Sequence, residues 1–225
     1  LLQNARKMYS YVKISWRFLV AKDYPDFLIF DYETLSNRPL NAAVISLGAI
    51  IGNWEDINVE DDEELKMSIA NLIGAQSFYQ TIKTRRQVEV YGLEIRQETV
   101  RWWSEQGEFA KQMLESKDKV EIEDNCKAFV DWCIENKLSQ KTTVYIRAPH
   151  FDFTIMDNIF EKIGLPIPFN TFKIRDVRSV IDAVYGTSNG YVPGFKEMLT
   201  DLNLHEHYAL HDCAKDLIQL KLCRN

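Results

Sequence analysis

Two kinds of apolar run divide the chain. Phe27-Leu28-Ile29-Phe30 and Ala42–Ile51 are nearly continuous and bounded by polar or turn residues, so they read as strands buried on both faces. Ser77–Ile82, Thr143–Ile146 and Thr171–Ile174 read as further, shorter strands. Helical spacing is clearest over Ile122–Lys137, where Cys126, Phe129, Val130, Cys133 and Ile134 form one stripe. More helices are expected over Glu98–Glu105, from about Phe153 to Ile163, over Val177–Tyr185, near Phe195–Leu202 and over Leu210–Leu222. Glu55–Glu64 is acidic and reads as a solvated loop or a helix start. At the front, Leu1, Ala5, Met8, Val12, Trp16 and Leu19 step by three or four. Arg6, Lys7, Lys13, Arg17 and Lys22 accompany them, and residues 1–22 contain no acid. A docked helix is favoured there over a basic nucleic-acid arm or a transit peptide. The expected division is therefore a basic amphipathic extension over residues 1–24 and one domain over 25–225. Three strands, then helices, then strands alternating with helices predict a mixed α/β sheet, antiparallel in its front half and parallel in its back half.

Composition narrows the function classes. In 225 residues, 46% are apolar and 12% aromatic, enough for one large core, and no run approaches a membrane span. A formal charge of −6 argues against coating DNA by net positive charge. It leaves room for a nuclease whose clustered acids are neutralised by cations. The four cysteines fit no zinc spacing. Cys126 and Cys133 lie roughly 10 Å apart along one helix at 1.5 Å per residue, too far to bridge, as are Cys213 and Cys223. Reduced thiols and the lack of a secretory signal point to a cytoplasmic protein, or to the host cytoplasm if it is viral.

Candidate chemistry begins where the first strand should end. Asp31 and Glu33 stand one residue apart, a spacing that can aim both carboxylates at one divalent cation. The D-x-E pattern also occurs at Asp61/Glu63 and Asp62/Glu64, but inside a polar run with no strand leading in. Asp152 follows the strand Thr143–Ile146, and its plainest reading alone is a helix N-cap. His211 and Asp216, within HDCAKD, open the last helix. His207 and Asp212 have the same spacing, so H-x-x-x-x-D occurs in two frames.

Taken in order, FDYET at 30–34, HFDF around Asp152 and HDCAKD at 211–216 resemble the histidine-bearing branch (DEDDh) of the DEDD 3′–5′ exonucleases. The likeness is closest to bacteriophage exonuclease A and related bacterial exoribonucleases. It extends to TVRWW at 99–103 and TFKIRDVRS at 171–179, covering about residues 26–223. The resemblance implies a ribonuclease H-like fold: a mixed sheet, strands one to three antiparallel and four and five parallel, flanked by helices. It also implies metal-dependent hydrolysis from the 3′ end of single-stranded DNA or RNA, releasing nucleoside monophosphates with two Mg²⁺ or Mn²⁺ ions. By the same resemblance Asp31 bridges the ions, Glu33 and Asp216 serve the nucleophile side, Asp152 the second ion, and His211 is the general base. Thr34, Leu35, Phe153 and Trp103 become candidate substrate contacts, with Leu35 a wedge against the last base. Trp102 and Trp103, adjacent on a helix, cannot both face one site. Lys83, Arg85, Arg86, Lys173, Arg175 and Arg178 are candidate phosphate contacts. Ala148 departs from the pattern, since many members carry asparagine there. The implied partner is a single-stranded 3′ end, with no membrane and a homodimer left open. A non-catalytic binding module and a polymerase-associated proofreading subunit are the competing readings.

Overall fold

Five strands build one sheet: Phe27–Thr34 (β1), Val44–Gly52 (β2), Ser77–Thr81 (β3), Thr143–Ile146 (β4) and Ile174–Asp176 (β5). In this computed structural model residues 22–199 and 202–224 are described, so the basic helix expected over residues 1–22 lies outside them apart from Lys22. The strand order is β3-β2-β1-β4-β5, with β1–β2 and β2–β3 antiparallel and β1–β4 and β4–β5 parallel. This is the mixed sheet the element order predicts. Among the described residues no helix is long and apolar enough to cross a membrane, and all four cysteines are free.

β1 is central and apolar on both sides, as its continuous run requires. Leu28, Phe30 and Tyr32 enter one core. There they meet Ile122–Glu135 (α5) through Cys126 and Phe129, and Pro149–Ile163 (α6) through Ile155 and Phe160. Phe27 and Ile29 enter the other, against Asp62–Ala75 (α1), Val177–Tyr185 (α7) and Ala209–Leu222 (α9). Burying each of these large strand side chains contributes about 1.5–3 kcal/mol. β1 therefore anchors both layers.

The acidic run ends in a helix start, one of its two expected readings: Asp61 accepts hydrogen bonds from the Glu63 and Glu64 N–H groups, and the acids of the first turn of α1 suit the positive end of the helix. Other elements differ from the sequence expectation. Arg85–Glu89 (α2) and Glu108–Glu115 (α4) flank the expected helix, which spans Gln97–Ser104 (α3). α6 starts at Pro149, four residues before Phe153, because proline is accepted at the first helical position. Thr171–Lys173 forms a 3₁₀ turn, so the fifth strand begins only at Ile174. Phe195–Met198 (α8) completes the set.

Candidate active site

Alternation along β1 puts Asp31 and Glu33 on the same face as Phe27 and Ile29. That face lies under α9, whose Leu210, Cys213, Ala214 and Leu217 join the same core. The apolar pattern thus turns acidic at the strand end, below the first turns of α9. Asp31 pairs with Gly48 of β2, and the register slips between Glu33 and Thr34. Such a slip ends regular pairing and re-aims side chains at a strand end. Gly48 is what allows α9 so close. A Cβ there would lie 2.6 Å from the Ala209 carbonyl carbon and nearer still to the Leu210 nitrogen.

Asp152 comes from the other layer. It is not the N-cap of α6, which is Ala148, but lies inside the first turns. Its Oδ1 accepts the Tyr32 N–H at 3.1 Å, across 120 residues of sequence. Ala148, where the family pattern favours asparagine, sits in the left-handed region with φ 60°. Its N–H donates to Asp176 Oδ1 at 3.1 Å, and Asp176 also caps α7. A backbone hydrogen bond therefore secures the turn that delivers Asp152.

The two frames of the third motif are set differently. Ligand atoms of Glu33, His207 and Asp212 all lie within 4.8 Å of one another. His207 precedes α9 with φ 57°, a conformation histidine adopts more readily than most residues. Its ring stands edge-to-face with Trp102 at 4.7 Å and with Trp103 at 6.2 Å. His211 turns elsewhere: its Nδ1 accepts the His205 N–H at 2.9 Å, and its ring lies 4.6 Å from Tyr208. Burial and the nearby His205 push its pKa down to about 4. Asp216 is 6% exposed and engaged by Arg147. Arg147 Nε reaches both carboxylate oxygens at 2.9 and 3.0 Å, and Nη2 reaches Oδ1 at 2.7 Å. Of the two frames, the structure brings His207 and Asp212, and not the expected His211, against Glu33. His207 and Asp212 sit beside Glu33, while Asp216 answers an arginine the motif pattern does not include.

The electrostatics agree with one shared acidic site. Burial raises the Asp31 carboxyl well above its usual range, and the charges of Asp152, Glu33, Asp212 and Asp216 add to the effect. Glu33 is raised by burial and then by Asp212 and Asp152, with the Lys215 ammonium opposing. Asp152 is pushed up to about 7 by burial, against the Tyr32 hydrogen bond that favours its ionised form. Converging carboxylates that resist ionisation together form a hard oxygen donor set, suited to Mg²⁺ or Mn²⁺.

The proposed substrate contacts divide. Trp103 is 1% exposed, and its indole N–H donates to the Thr34 carbonyl at 2.8 Å, so it is core and offers no stacking face. Trp102, 40% exposed, keeps an open ring beside His207. Thr34 is buried, its hydroxyl donating to the Ser36 carbonyl. Leu35 is half-buried against the Trp103 cluster, and Phe153 is half-buried against Phe169. Lys83, Arg85 and Arg86 are paired with Glu121, Glu89 and Glu123. Arg175 donates to the Phe172 and Ile174 carbonyls. The charge of Arg178 acts on Asp152 and Asp216.

Residues 26–221 match a family model described as the Rv2179c-like 3'-5' exoribonuclease domain. No curated protein sequence is a significant match. Among solved structures, the fold is similar to the nuclease domain of 3'hExo, a DEDDh family member, bound to rAMP. That likeness has a TM-score of 0.58 at 14% identity over 91% of this chain and 93% of that one. Cell-death related nuclease 4 (CRN-4) aligns with a TM-score of 0.57 at 15% identity, over 89% of this chain and 64% of its own. E. coli Exonuclease I in complex with a dA16 oligonucleotide aligns with a TM-score of 0.54 at 17% identity, over 87% of this chain and 40% of its own. At such identities the likeness is one of fold.

Proposed function

The chain belongs to the Rv2179c-like 3'-5' exoribonuclease domain family and is a 3′–5′ exonuclease, and from that premise we propose that it shortens single-stranded RNA from the 3′ end with divalent cations. The observation that carries this reading is the meeting of Glu33, His207 and Asp212 within 4.8 Å, on the face where β1 presents Asp31. Asp31, Glu33, Asp152 and Asp212 are the residues that would hold the cations. Bound there, divalent ions supply charge stabilisation for the attacking and leaving oxygens of a phosphodiester.

The protein's own side chains do the rest. His207 acts as general base, an imidazole nitrogen taking the proton of the attacking water. Trp102 and Trp103 hold its ring edge-on, beside Glu33 and Asp212. The open ring of Trp102 offers a stacking surface for a base near the reacting end. Leu35 serves as the wedge beside the terminal nucleotide.

The test digests matched RNA and DNA oligonucleotides, 5′-labelled, with EDTA, Mg²⁺ or Mn²⁺. Ladders should shorten from the 3′ end only with a cation, a 3′ block should stop them, and RNA should be cut faster than DNA. Product release from the 5′ end, or efficient cutting of circles, would overturn the exonuclease reading. Faster cutting of DNA would overturn the choice of sugar alone.

A further inference from the structure

Lys215 lies one helical turn beyond Asp212 on α9, and its side chain is only 12% exposed. Its Nζ donates to Asp212 Oδ1 at 2.8 Å and to the His205 carbonyl at 2.8 Å. One ammonium thus ties the loop that carries His207 to the helix that carries Asp212. The i,i+3 spacing puts both side chains on one side of the helix, so the contact follows from local geometry. One turn along, at Asp216, Arg147 engages both carboxylate oxygens through a bidentate fork. Lys215 is instead a compact point charge and engages a single Asp212 oxygen. Both cations enter the cluster, but only Arg147 takes up both oxygens of its carboxylate.

We propose that Lys215 is a built-in counter-ion of the Glu33–Asp212 side, which steadies the acidic cluster when no divalent cation is bound and opposes cation binding there. The proposal rests on the active-site reading above. Its charge also reaches Glu33, whose carboxyl it holds down against the neighbouring acids. A fixed positive charge beside two carboxylates lowers the gain from adding a dication, so the site binds its metal more weakly than its acids alone would allow. Reversible binding of this kind suits a site that must take up and release phosphate-bearing ligands.

The test is Mn²⁺ titration of the whole chain by calorimetry, with thermal unfolding in EDTA, for the wild type, Lys215→Met, Lys215→Gln, Lys215→Arg and Asp212→Asn. Lys215→Met should bind Mn²⁺ about tenfold tighter, the effect of removing a nearby like charge, and should melt lower in EDTA. Lys215→Gln, which keeps a donor without the charge, should shift the affinity in the same direction even if Lys215→Met does not fold. Lys215→Arg should track the wild type. Unchanged or weaker binding in both neutral variants overturns the counter-ion role. If Asp212→Asn also loses Mn²⁺ affinity in that case, the active-site reading stands without it. Undiminished affinity in Asp212→Asn puts the cation elsewhere and overturns both.

Discussion

Replacing Asp152 by asparagine should make the metal-free protein more stable, although it removes a proposed cation ligand. Its carboxyl moves from 3.8 to about 7 on folding, chiefly through burial. Those roughly three pH units, at about 1.4 kcal/mol each, make an ionised Asp152 cost the fold about 4 kcal/mol at pH 8. Asparagine sheds the charge and keeps an oxygen for the Tyr32 N–H. The sign follows from proton counts. The folded pKa is raised, so between about pH 4 and pH 7 the folded chain holds a proton the unfolded chain has lost. Stability therefore falls as pH rises through that window and levels off above it. Thermal unfolding in EDTA from pH 4 to 9 measures this directly. A chain of this size gains about 2–4 °C per kcal/mol, so the variant should melt roughly 10 °C higher at pH 8 and coincide with the wild type near pH 4. Mn²⁺ should then raise the melting temperature of the wild type more than that of the variant. An Asp152→Asn protein that melts no higher than wild type at pH 8, or keeps the wild-type pH slope, refutes the burial argument.

Other outcomes follow from the same geometry. His207→Ala should lower kcat by about 10²-fold or more with KM little changed, and His211→Ala by less than tenfold; steady-state kinetics giving the opposite order would restore His211 as the base. Arg147→Met removes the fork that holds both oxygens of the buried Asp216 and should cost about 3–5 kcal/mol in urea unfolding. Arg147→Met with Asp216→Leu should recover most of that loss, and no recovery would mean the two do not act as a pair. Gly48→Ala forces a methyl into the backbone of Ala209 and Leu210, so its urea midpoint should drop by an amount equivalent to about 1–3 kcal/mol. An unchanged midpoint would show that α9 does not need the close approach.

The parts of the fold legible in the sequence were those whose pattern has one solution. Phe27 to Phe30 are apolar without a break, and only a strand covered on both faces can bury all four. The stripe of Ile122–Glu135 likewise leaves one helical face to bury. Glu55–Glu64 was harder because charge alone does not separate a solvated loop from a capped helix start. Asp61 decides it by accepting two backbone N–H groups. The basic cluster was misleading for a similar reason. Lys83 and Arg86 meet Glu121 and Glu123 from more than 30 residues away, so their partners were invisible. Only Arg85 and Glu89, at i,i+4, could have been read locally. Adjacent Trp102 and Trp103 had to diverge by about 100° on a helix. Which of the two faced inward depended on the Thr34 carbonyl, which β1 supplies.

The candidate site shows the same limit at closer range. Asp31 and Glu33 could be picked out because an apolar strand led into them. His207/Asp212 and His211/Asp216 could not be ranked locally, because the frames differ by four residues, close to one helical turn. Both aspartates therefore fall on nearly the same side of α9, and the hydrophobic pattern treats them alike. What separates them is chemistry brought in by other elements. Arg147, at the end of β4, claims both oxygens of Asp216, while Glu33 and the tryptophans of α3 gather around His207. The helix thus carries two acids of similar placement. One is neutralised by an arginine fork, and the other meets a point charge on one oxygen only. A motif spacing records where a side chain can reach, whereas the partner that awaits it decides whether the acid serves the fold or the reaction.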